Sequence, residues 1–361
     1  MERTDEELKS RRVLTALKSR LRSGRWRPGS RLPTRTELIK SLKISPMTLQ
    51  RVIDELIREG FVCSRGRDGT FAADAPPFTR NFGFVINGPA SARDEWVHYW
   101  RVLEAEAQKL FASPGREAKF YYGIDRPMSP DMDRLREDIE AQRLAGVFFS
   151  NLPAFLLDSP LVQQKHTPLV AVGSKQDGAS GLSLVVFGTD RFMDKALKEV
   201  AAAGRKRVGL ITPWEDPRQH VAKFQATAQR YGLETQPRWC QYAPHSREGR
   251  LWAAHAVEAI IGGAQRPDAL VIYDDNHIES AMSGMLRAGC AVPGDCLVVA
   301  HTNFPWPLPS PFPLIRIGID IRKVVESAVA EIERRQNGQA PQEIYIPLQT
   351  QNEAALFTAR R

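Results

Sequence analysis

The chain has 361 residues, enough for two or three domains of ordinary size. Hydrophobic residues make up 42 % and charged residues 25 %, and 50 Lys/Arg stand against 42 Asp/Glu for a formal net charge of +8. That balance excludes a disordered tail, a collagen-like chain and a small disulfide scaffold. Four scattered cysteines, Cys63, Cys240, Cys290 and Cys296, fit a reducing compartment. No apolar run approaches the ~18 residues needed to cross a bilayer, and the first ten residues carry no apolar leader. The expectation is a soluble, cytoplasmic protein.

The charge is concentrated. Residues 1–77 hold 17 Lys/Arg and 10 Asp/Glu, a net +7 of the total +8. A compact basic module on a near-neutral body is the electrostatic footprint of a nucleic-acid binder. Thr4 to Arg22 places Val13, Leu14, Leu17 and Leu21 at helical spacing, with Lys9, Arg11, Arg12, Lys18 and Arg22 on the other, solvated face. Gly24 ends that helix and Pro28-Gly29 marks a turn. Thr34-Arg35-Thr36-Glu37 is a capping box that opens a second helix with Leu38, Ile39 and Leu42 inward. Ser45 caps a third, with Pro46 at its first position. Leu49, Val52, Ile53, Leu56 and Ile57 form its apolar stripe, while Met47, Gln50, Arg51, Asp54 and Arg58 face away. The short Lys43-Ile44 link makes the pair a helix-turn-helix, and Gly60 stops the third helix. Two short strands, Phe61–Ser64 and Thr70–Ala72, flank a basic turn carrying Arg65, Gly66 and Arg67.

This order, helix, helix-turn-helix, basic hairpin, places the third helix in the major groove and the hairpin against phosphates or the minor groove. Gln50 suits adenine, Arg51 suits guanine or a phosphate, and Thr48 suits a phosphate. The motifs Gly24-x-Trp26-x-Pro28-Gly29-x-x-Leu32-Pro33-Thr34, Glu37-Leu38, Ile44-Ser45-x-x-Thr48, Glu59-Gly60 and Gly69-Thr70-Phe71 carry a resemblance. Residues 10–72 resemble the winged helix-turn-helix of the GntR family. Thr36, Pro46 and Gln50 stand where that family commonly has arginine, so its base preference does not transfer. The resemblance and the patterning together give the candidate DNA-contacting set: Arg35, Thr36, Ser45, Met47, Thr48, Gln50, Arg51, Arg65, Gly66 and Arg67.

The expected division is a DNA-binding domain at 1–75, an extended proline-containing linker at 76–81 and a body at 82–361. In the body, strand-like runs (82–86, 118–122, 146–149, 168–172, 184–187, 207–211, 269–273, 297–300) alternate with helix-like segments (95–111, 131–144, 155–164, 192–203, 223–231, 251–261, 278–288, 321–336). Alternation of this kind implies parallel sheets covered by helices, and the number of units implies two doubly wound α/β lobes. Ala203-Gly204-Arg205-Lys206-Arg207-Val208-Gly209-Leu210-Ile211, Arg266-Pro267-Asp268-Ala269-Leu270, Gly289-x-x-Val292-Pro293-x-Asp295, Val298-Val299 and the stretch 311–317 resemble the effector domain of LacI/GalR-type repressors, which is periplasmic-binding-protein-like (type I). Joined to the basic head, this is similar to the arabinose-repressor type of architecture. The resemblance implies a small-molecule effector, a sugar or sugar derivative, held between two lobes, and a side-by-side homodimer on double-stranded operator DNA.

Ligands of open α/β sheets bind beyond the C-terminal strand ends. Asn87, Ser150, Asn151, Trp214, Arg218, His220, Asp274, Asp275, Thr302 and Asn303 are expected there, with Trp306 nearby. Compared with the resembled family, several of these positions keep polarity and change identity (Gly188-Thr189, His220, Tyr273-Asp274-Asp275, Thr302-Asn303). No enzyme motif is present: no G-x-S-x-G, no P-loop, and no G-x-G-x-x-G after a strand. The seven histidines lack metal-ligand spacing and Cys290 to Cys296 is not C-x-x-C, so neither metal nor cofactor is expected. The expectation is a repressor that senses a small molecule. A ligand-independent regulator, or a small-molecule binder with a vestigial head, are the alternatives.

Overall fold

A computed structural model describes residues 5–126, 128–173, 181–213 and 217–355. The head comprises α1 (Asp5–Arg22), α2 (Arg35–Leu42), α3 (Pro46–Arg58), β1 (Val62–Ser64) and β2 (Thr70–Ala72). The Thr34/Glu37 capping box forms: Glu37 N donates to Thr34 Oγ1 at 3.4 Å and Thr34 N donates to Glu37 Oε2 at 2.7 Å. Lys43 then turns the chain with a left-handed φ of 52°, and Ser45 Oγ caps α3 by accepting from Thr48 N at 3.0 Å. Leu17, Leu21, Leu38, Leu49, Val52, Ile53, Leu56 and Phe61 build one core. Ile57, expected in the α3 stripe, is 38 % exposed. At 100° per residue it lies at the edge of the arc centred on Leu49, Val52 and Leu56. The hairpin pairs Cys63 with Phe71, and its turn runs through Gly66 (φ 59°) and Gly69 (φ 104°), conformations that glycine adopts without strain.

The expected extended linker at 76–81 instead contains a one-turn helix, α4 (Pro77–Arg80), and ends inside β3 (Asn81–Ile86). Phe78 is drawn into the head's core, which shortens the path. The body continues with α5 (His98–Leu110), β4 (Glu117–Tyr122), α6 (Pro130–Glu140), β5 (Gly146–Phe149), α7 (Pro160–Gln163), β6 (Leu169–Val172) and β7 (Leu182–Phe187). It then runs through α8 (Phe192–Ala202), β8 (Val208–Thr212), α9 (Pro217–Arg230), β9 (Cys240–Tyr242), α10 (Arg247–Ile261), β10 (Ala269–Ile272) and α11 (Ile278–Arg287). It closes with β11 (Leu297–Phe304), β12 (Ile315–Asp320), α12 (Ile321–Gln336), β13 (Glu343–Ile346) and β14 (Gln349–Asn352).

Two six-stranded sheets result, in the orders β13-β7-β6-β5-β3-β4 and β14-β12-β11-β10-β8-β9. The strand pairs β3/β4, β3/β5 and β5/β6 are parallel, as are β8/β9, β8/β10, β10/β11 and β11/β12, whereas β14 is antiparallel to its neighbour β12. In the second sheet Leu210, Val271, Val299 and Ile317 pack on one face, with Phe192, Leu197 and Phe224 from α8 and α9. Ile211, Leu270, Ile272 and Val298 pack on the other, with Val257 and Met282 from α10 and α11. Successive strand residues point to opposite faces, so two covered faces demand the continuous apolar runs seen in the sequence. Gly284 brings α11 close to α10: a Cβ there would meet Ala254 O at 2.4 Å.

Several boundaries differ from expectation. β11 runs four residues past Ala300, because Thr302, Asn303 and Phe304 pair with Gly318, Ile319 and Asp320 of β12. α10 begins at Arg247 rather than Leu251, because Ser246 caps it. The expected helix at 155–164 is broken: a 3-10 turn at Ala154–Leu156 ends, and Pro160 starts α7 afresh. β9, β13 and β14 are short, partly exposed strands without an alternating apolar signal.

The chain divides into two compact units. The first contains Met1–Pro89, Gln108–Leu184 and Ala328–Gln342; the second contains Ala90–Ala107, Val185–Ser327 and Glu343–Arg361. Within the first unit, Lys18 corrects the reading of α1. It was expected on a solvated face, yet its side chain is 3 % exposed. It forms an ion pair with Glu59, donates to Ala141 O at 3.0 Å and lies 4.7 Å from the Phe61 ring centre. Arg143 Nε donates to Glu59 at 3.1 Å, and its other nitrogens reach Asp138 at 2.9 Å and Glu137 at 3.1 Å. Arg22, likewise expected in solvent, donates to Leu144 O at 3.4 Å and covers the Phe78 ring. Removing one partner of a buried ion pair leaves the other uncompensated. Lys18→Met is therefore expected to destabilise the protein by about 3 kcal/mol, whereas Lys9→Met on the exposed face changes it by less than about 0.5 kcal/mol. Urea unfolding midpoints of the two variants check this.

Candidate nucleic-acid interface and ligand site

On the head, the described geometry sorts the ten candidate residues. Met47 is 69 % exposed and Arg51 is exposed beside it on α3. Thr48 differs from expectation: it is 4 % exposed, its backbone N–H meets Ser45 Oγ, and the two hydroxyl oxygens lie 2.8 Å apart. Ser45 and Thr48 thus hold the start of α3 rather than offering free hydroxyls to a phosphate. Arg35 donates to Gln50 Oε1, and Gln50 Nε2 donates to Asp54 Oδ1 at 2.7 Å. Both polar ends of the Gln50 amide are held within the helix-turn-helix. A base that used this amide must displace Arg35 and Asp54, or pair with Arg35 in their place. Thr36 is exposed on the first turn of α2.

In the hairpin turn, the Arg65 guanidinium lies 4.5 Å from the Phe71 ring centre and 3.7 Å from Asp74. Gly66 and Arg67 are exposed, and Arg67 has no side-chain hydrogen bond or ion pair among the described residues. Arg51 stands on the wall of a cavity of about 860 Å³ in the first unit, together with Arg11, Lys18, Arg58 and the acidic side chains Glu137 and Glu140 of α6. Met47 and Arg67 lie outside that lining.

The body candidates fall into two groups, one in each unit. In the first unit Asn87 and Ser150 follow β3 and β5, and Ser150 Oγ donates to Asn87 Oδ1 at 3.2 Å; both are buried, and Asn151 is exposed beside them. In the second unit Asp274 and Asp275 follow β10. Asp275 Oδ2 accepts from Asn303 N at 3.1 Å and from Asn303 Nδ2 at 2.9 Å. Asp274 Oδ1 accepts from Asn276 N at 2.8 Å and Asn276 Nδ2 at 2.6 Å, and His245 Nδ1 lies 3.6 Å from its Oδ2. Thr302 and Asn303, expected beyond a strand end, are the buried last third of β11. Among the described residues Asp275 Oδ1, Thr302 Oγ1 and His277 Nδ1 are buried without a hydrogen-bond partner. Buried polar atoms are nearly always paired, so this group makes a candidate site. Trp214 lies outside the described residues, as does the side chain of Arg218; His220 is half-buried on α9. Trp306 points its indole at Glu106, donating to Oε1 at 2.7 Å.

Burial pushes the Asp275 carboxyl up to about 8, and the charge of Asp274 adds to this. Asp274 goes the other way: burial would raise it, but the charges of His245 and His277 outweigh burial and hold it low. Burial also lowers His98, His277 and His301, and the charge of Asp274 opposes this at each of them. The pair therefore presents one proton-bearing and one ionised carboxyl, a donor and an acceptor side by side.

Residues 9–72 match the model of bacterial regulatory proteins of the gntR family, and residues 197–350 match the periplasmic binding protein-like domain. The chain joins a gntR-family head to a periplasmic-binding-protein-like body. The chain is 33 % identical over 88 residues to the HTH-type transcriptional regulator TauR of Rhodobacter capsulatus, covering 24 % of this chain and 17 % of that one. It is 36 % identical over 63 residues to the histidine utilization repressor of Klebsiella aerogenes, covering 18 % and 26 %. The chain thus spans about a sixth to a quarter of the length of these relatives. The body shares its fold with a LacI family transcriptional regulator from Arthrobacter sp. FB24 in complex with lactose (TM-score 0.59, 16 % identity, 76 % of this chain and 98 % of that one). It also shares it with the Escherichia coli transcriptional repressor ascG (TM-score 0.59, 15 % identity, 76 % and 98 %).

The periplasmic-binding-protein-like body carries first-turn arginines on α10, Arg247 and Arg250, that the helix boundary at Leu251 concealed. The signal was present in Ser246, a good N-cap five residues before that boundary.

The sign of the Asp275 effect follows from its raised value. Between the ordinary aspartate value of 3.8 and about 8, the folded chain keeps a proton that the unfolded chain releases. Stability from this group therefore falls as pH rises through that window. Asp275→Asn keeps an acceptor for Asn303 and abolishes the ionisation. Its melting temperature is expected to decline less than the wild type's between about pH 5 and pH 8, measured by scanning calorimetry.

Proposed function

We propose that this protein is a sequence-specific DNA-binding transcription regulator, a repressor, whose body binds a small polyhydroxy effector. The observation that carries the DNA reading is the exposed face of α3, Met47 and Arg51, together with a hairpin whose Arg67 guanidinium has no hydrogen bond or ion pair among the described residues. A helix-turn-helix offers the N-terminal part of its second helix to base edges, and a free arginine on the wing adds a phosphate contact. The gntR-family match and the regulators it resembles support the same reading.

The effector reading rests on the carboxyl pair Asp274/Asp275 with Asn303 and the unpaired Thr302 hydroxyl at the C-terminal ends of β10 and β11. Vicinal hydroxyls both donate and accept, so a sugar suits a surface holding one protonated and one ionised carboxyl. Proteins that share the fold carry glucose, lactose or sucrose in their structures. An effector acts by binding one conformation better than another, and a homodimer presents two α3 helices to a near-palindromic site.

Two measurements test this. Selection from a random DNA pool is expected to return a near-palindromic sequence, bound with a steep fall of log affinity with log salt. Arg67→Ala should weaken binding on all sequences and reduce the salt slope by about 1, while Gln50→Ala with Arg51→Ala should erase the preference for the selected sequence. A wild type that binds the selected sequence no better than scrambled DNA overturns the DNA reading. A sugar at about 100 times its dissociation constant should stabilise the chain by about 2.7 kcal/mol, and the stabilisation should be lost in Asp274→Ala.

A further inference from the structure

The second unit holds a cavity of about 350 Å³ apart from the Asp274/Asp275 pair, and its charge is distinctive. Three guanidinium groups line it: Arg101 from α5, and Arg247 and Arg250 from the first turn of α10. Glu279 of α11 is the one acidic side chain in the lining, against three cations. Ser280 adds a hydroxyl, and Trp96 with Leu251 supplies an apolar wall.

Neither Arg247 nor Arg250 has a side-chain hydrogen bond or ion pair among the described residues. Arg101 spends only Nη2, donating to Arg93 O at 3.1 Å and Asp94 O at 2.9 Å. Among the described residues its Nε and Nη1 make no hydrogen bond. The placement of the other two runs against helix electrostatics. The first turn of a helix favours acids and disfavours cations, so Arg247 and Arg250 cost α10 stability where they stand. Packing does not explain them either, since Arg247 is exposed and Arg250 half-buried. An oxyanion does explain them, because guanidinium forks match phosphate and carboxylate oxygens in pairs.

Asn276 joins this cavity to the carboxyl pair. Its Oδ1 accepts from His98 N at 2.8 Å, and its Nδ2 donates to Asp274 Oδ1 at 2.6 Å. His98 Nε2 in turn donates to Trp306 O at 2.5 Å, which uses the imidazole for structure and leaves the arginines to carry the charge. The cavity volume falls in the range of small-metabolite sites.

We infer that the arginine-lined cavity binds the phosphate group of a phosphorylated small molecule, whose hydroxyls the adjoining Asp274 cluster can meet. The inference rests on the reading of the body as an effector-binding module, and it specifies an effector that is anionic rather than neutral.

Titration calorimetry and thermal shift on the full chain test it. The probes are sodium phosphate against sodium chloride at equal ionic strength, and glucose 6-phosphate against glucose and glucuronate. Phosphate is expected to raise the melting temperature where chloride does not. Glucose 6-phosphate should bind at least about tenfold more tightly than glucose, a bidentate charged contact being worth that factor or more. Arg247→Gln with Arg250→Gln should remove the preference, while Arg247→Lys with Arg250→Lys should retain part of it; far-ultraviolet circular dichroism establishes that both are folded. Equal shifts with phosphate and chloride overturn the inference, as does a phosphate preference undiminished in the double glutamine variant. A glucuronate response as large as that of glucose 6-phosphate overturns the assignment to phosphate. DNA binding by the same preparations separates the two readings. A wild type that binds DNA and glucose but shows no phosphate preference overturns the anion site and leaves the regulator reading standing.

Discussion

The buried ion pair of Lys18 and Glu59, extended by Arg143, is the contact on which the first unit's arrangement depends. Lys18 comes from α1, Glu59 closes α3, and Arg143 follows α6, so three segments meet at one pair of charges. Burial alone would strip the Lys18 ammonium of its proton more readily, and the hydrogen bond to Glu59 opposes this. Charges out of water need their partners, and here the partners are supplied by a DNA-binding head and by the body segment it packs on. The short helix α4 adds an apolar contact through Phe78, and Gln336 donates to Phe78 O at 2.6 Å and Ala145 O at 3.0 Å. The head is therefore held by specific polar contacts as well as by its linker.

That arrangement bears on recognition. Arg51, Val52, Glu55 and Arg58 of α3 line a cavity together with Glu137 and Glu140 of α6, while Met47 is open. Gln50 sits between Arg35 and Asp54 and has its orientation set in advance.

In the second unit the parallel sheet concentrates polar groups at the C-terminal ends of β10 and β11, where strand runs give way to helix starts. Two kinds of chemistry are gathered there. Asp274, Asp275 and Asn303 exchange hydrogen bonds among carboxyls and amides; Arg101, Arg247 and Arg250 bring an excess of positive charge beside Glu279. Close approach of α11 to α10 at Gly284 keeps Arg247 and Arg250 of α10 beside Glu279 and Ser280 of α11.

Local rules made much of this chain readable. The capping box at Thr34, the Ser45-Pro46 start of α3 and the glycines of the hairpin turn are decided by neighbours in sequence, and the sequence states them outright. The apolar runs of the covered sheet are similarly local, because a strand buried on both faces has no polar positions to spare. Short edge strands such as β9 and β14 were not readable, since their pairing is supplied by neighbouring strands rather than by their own composition. The roles of Lys18, Thr48 and Thr302 were decided only in three dimensions. Lys18 looked solvated because helical spacing knows nothing of Glu59 and Ala141, residues 41 and 123 positions away. Thr302 looked like a loop residue because β12, which extends its strand, lies beyond a proline-rich segment. Periodicity reports which face of an element is apolar; which charges are buried, and which remain unpaired, depends on what the fold brings against that face.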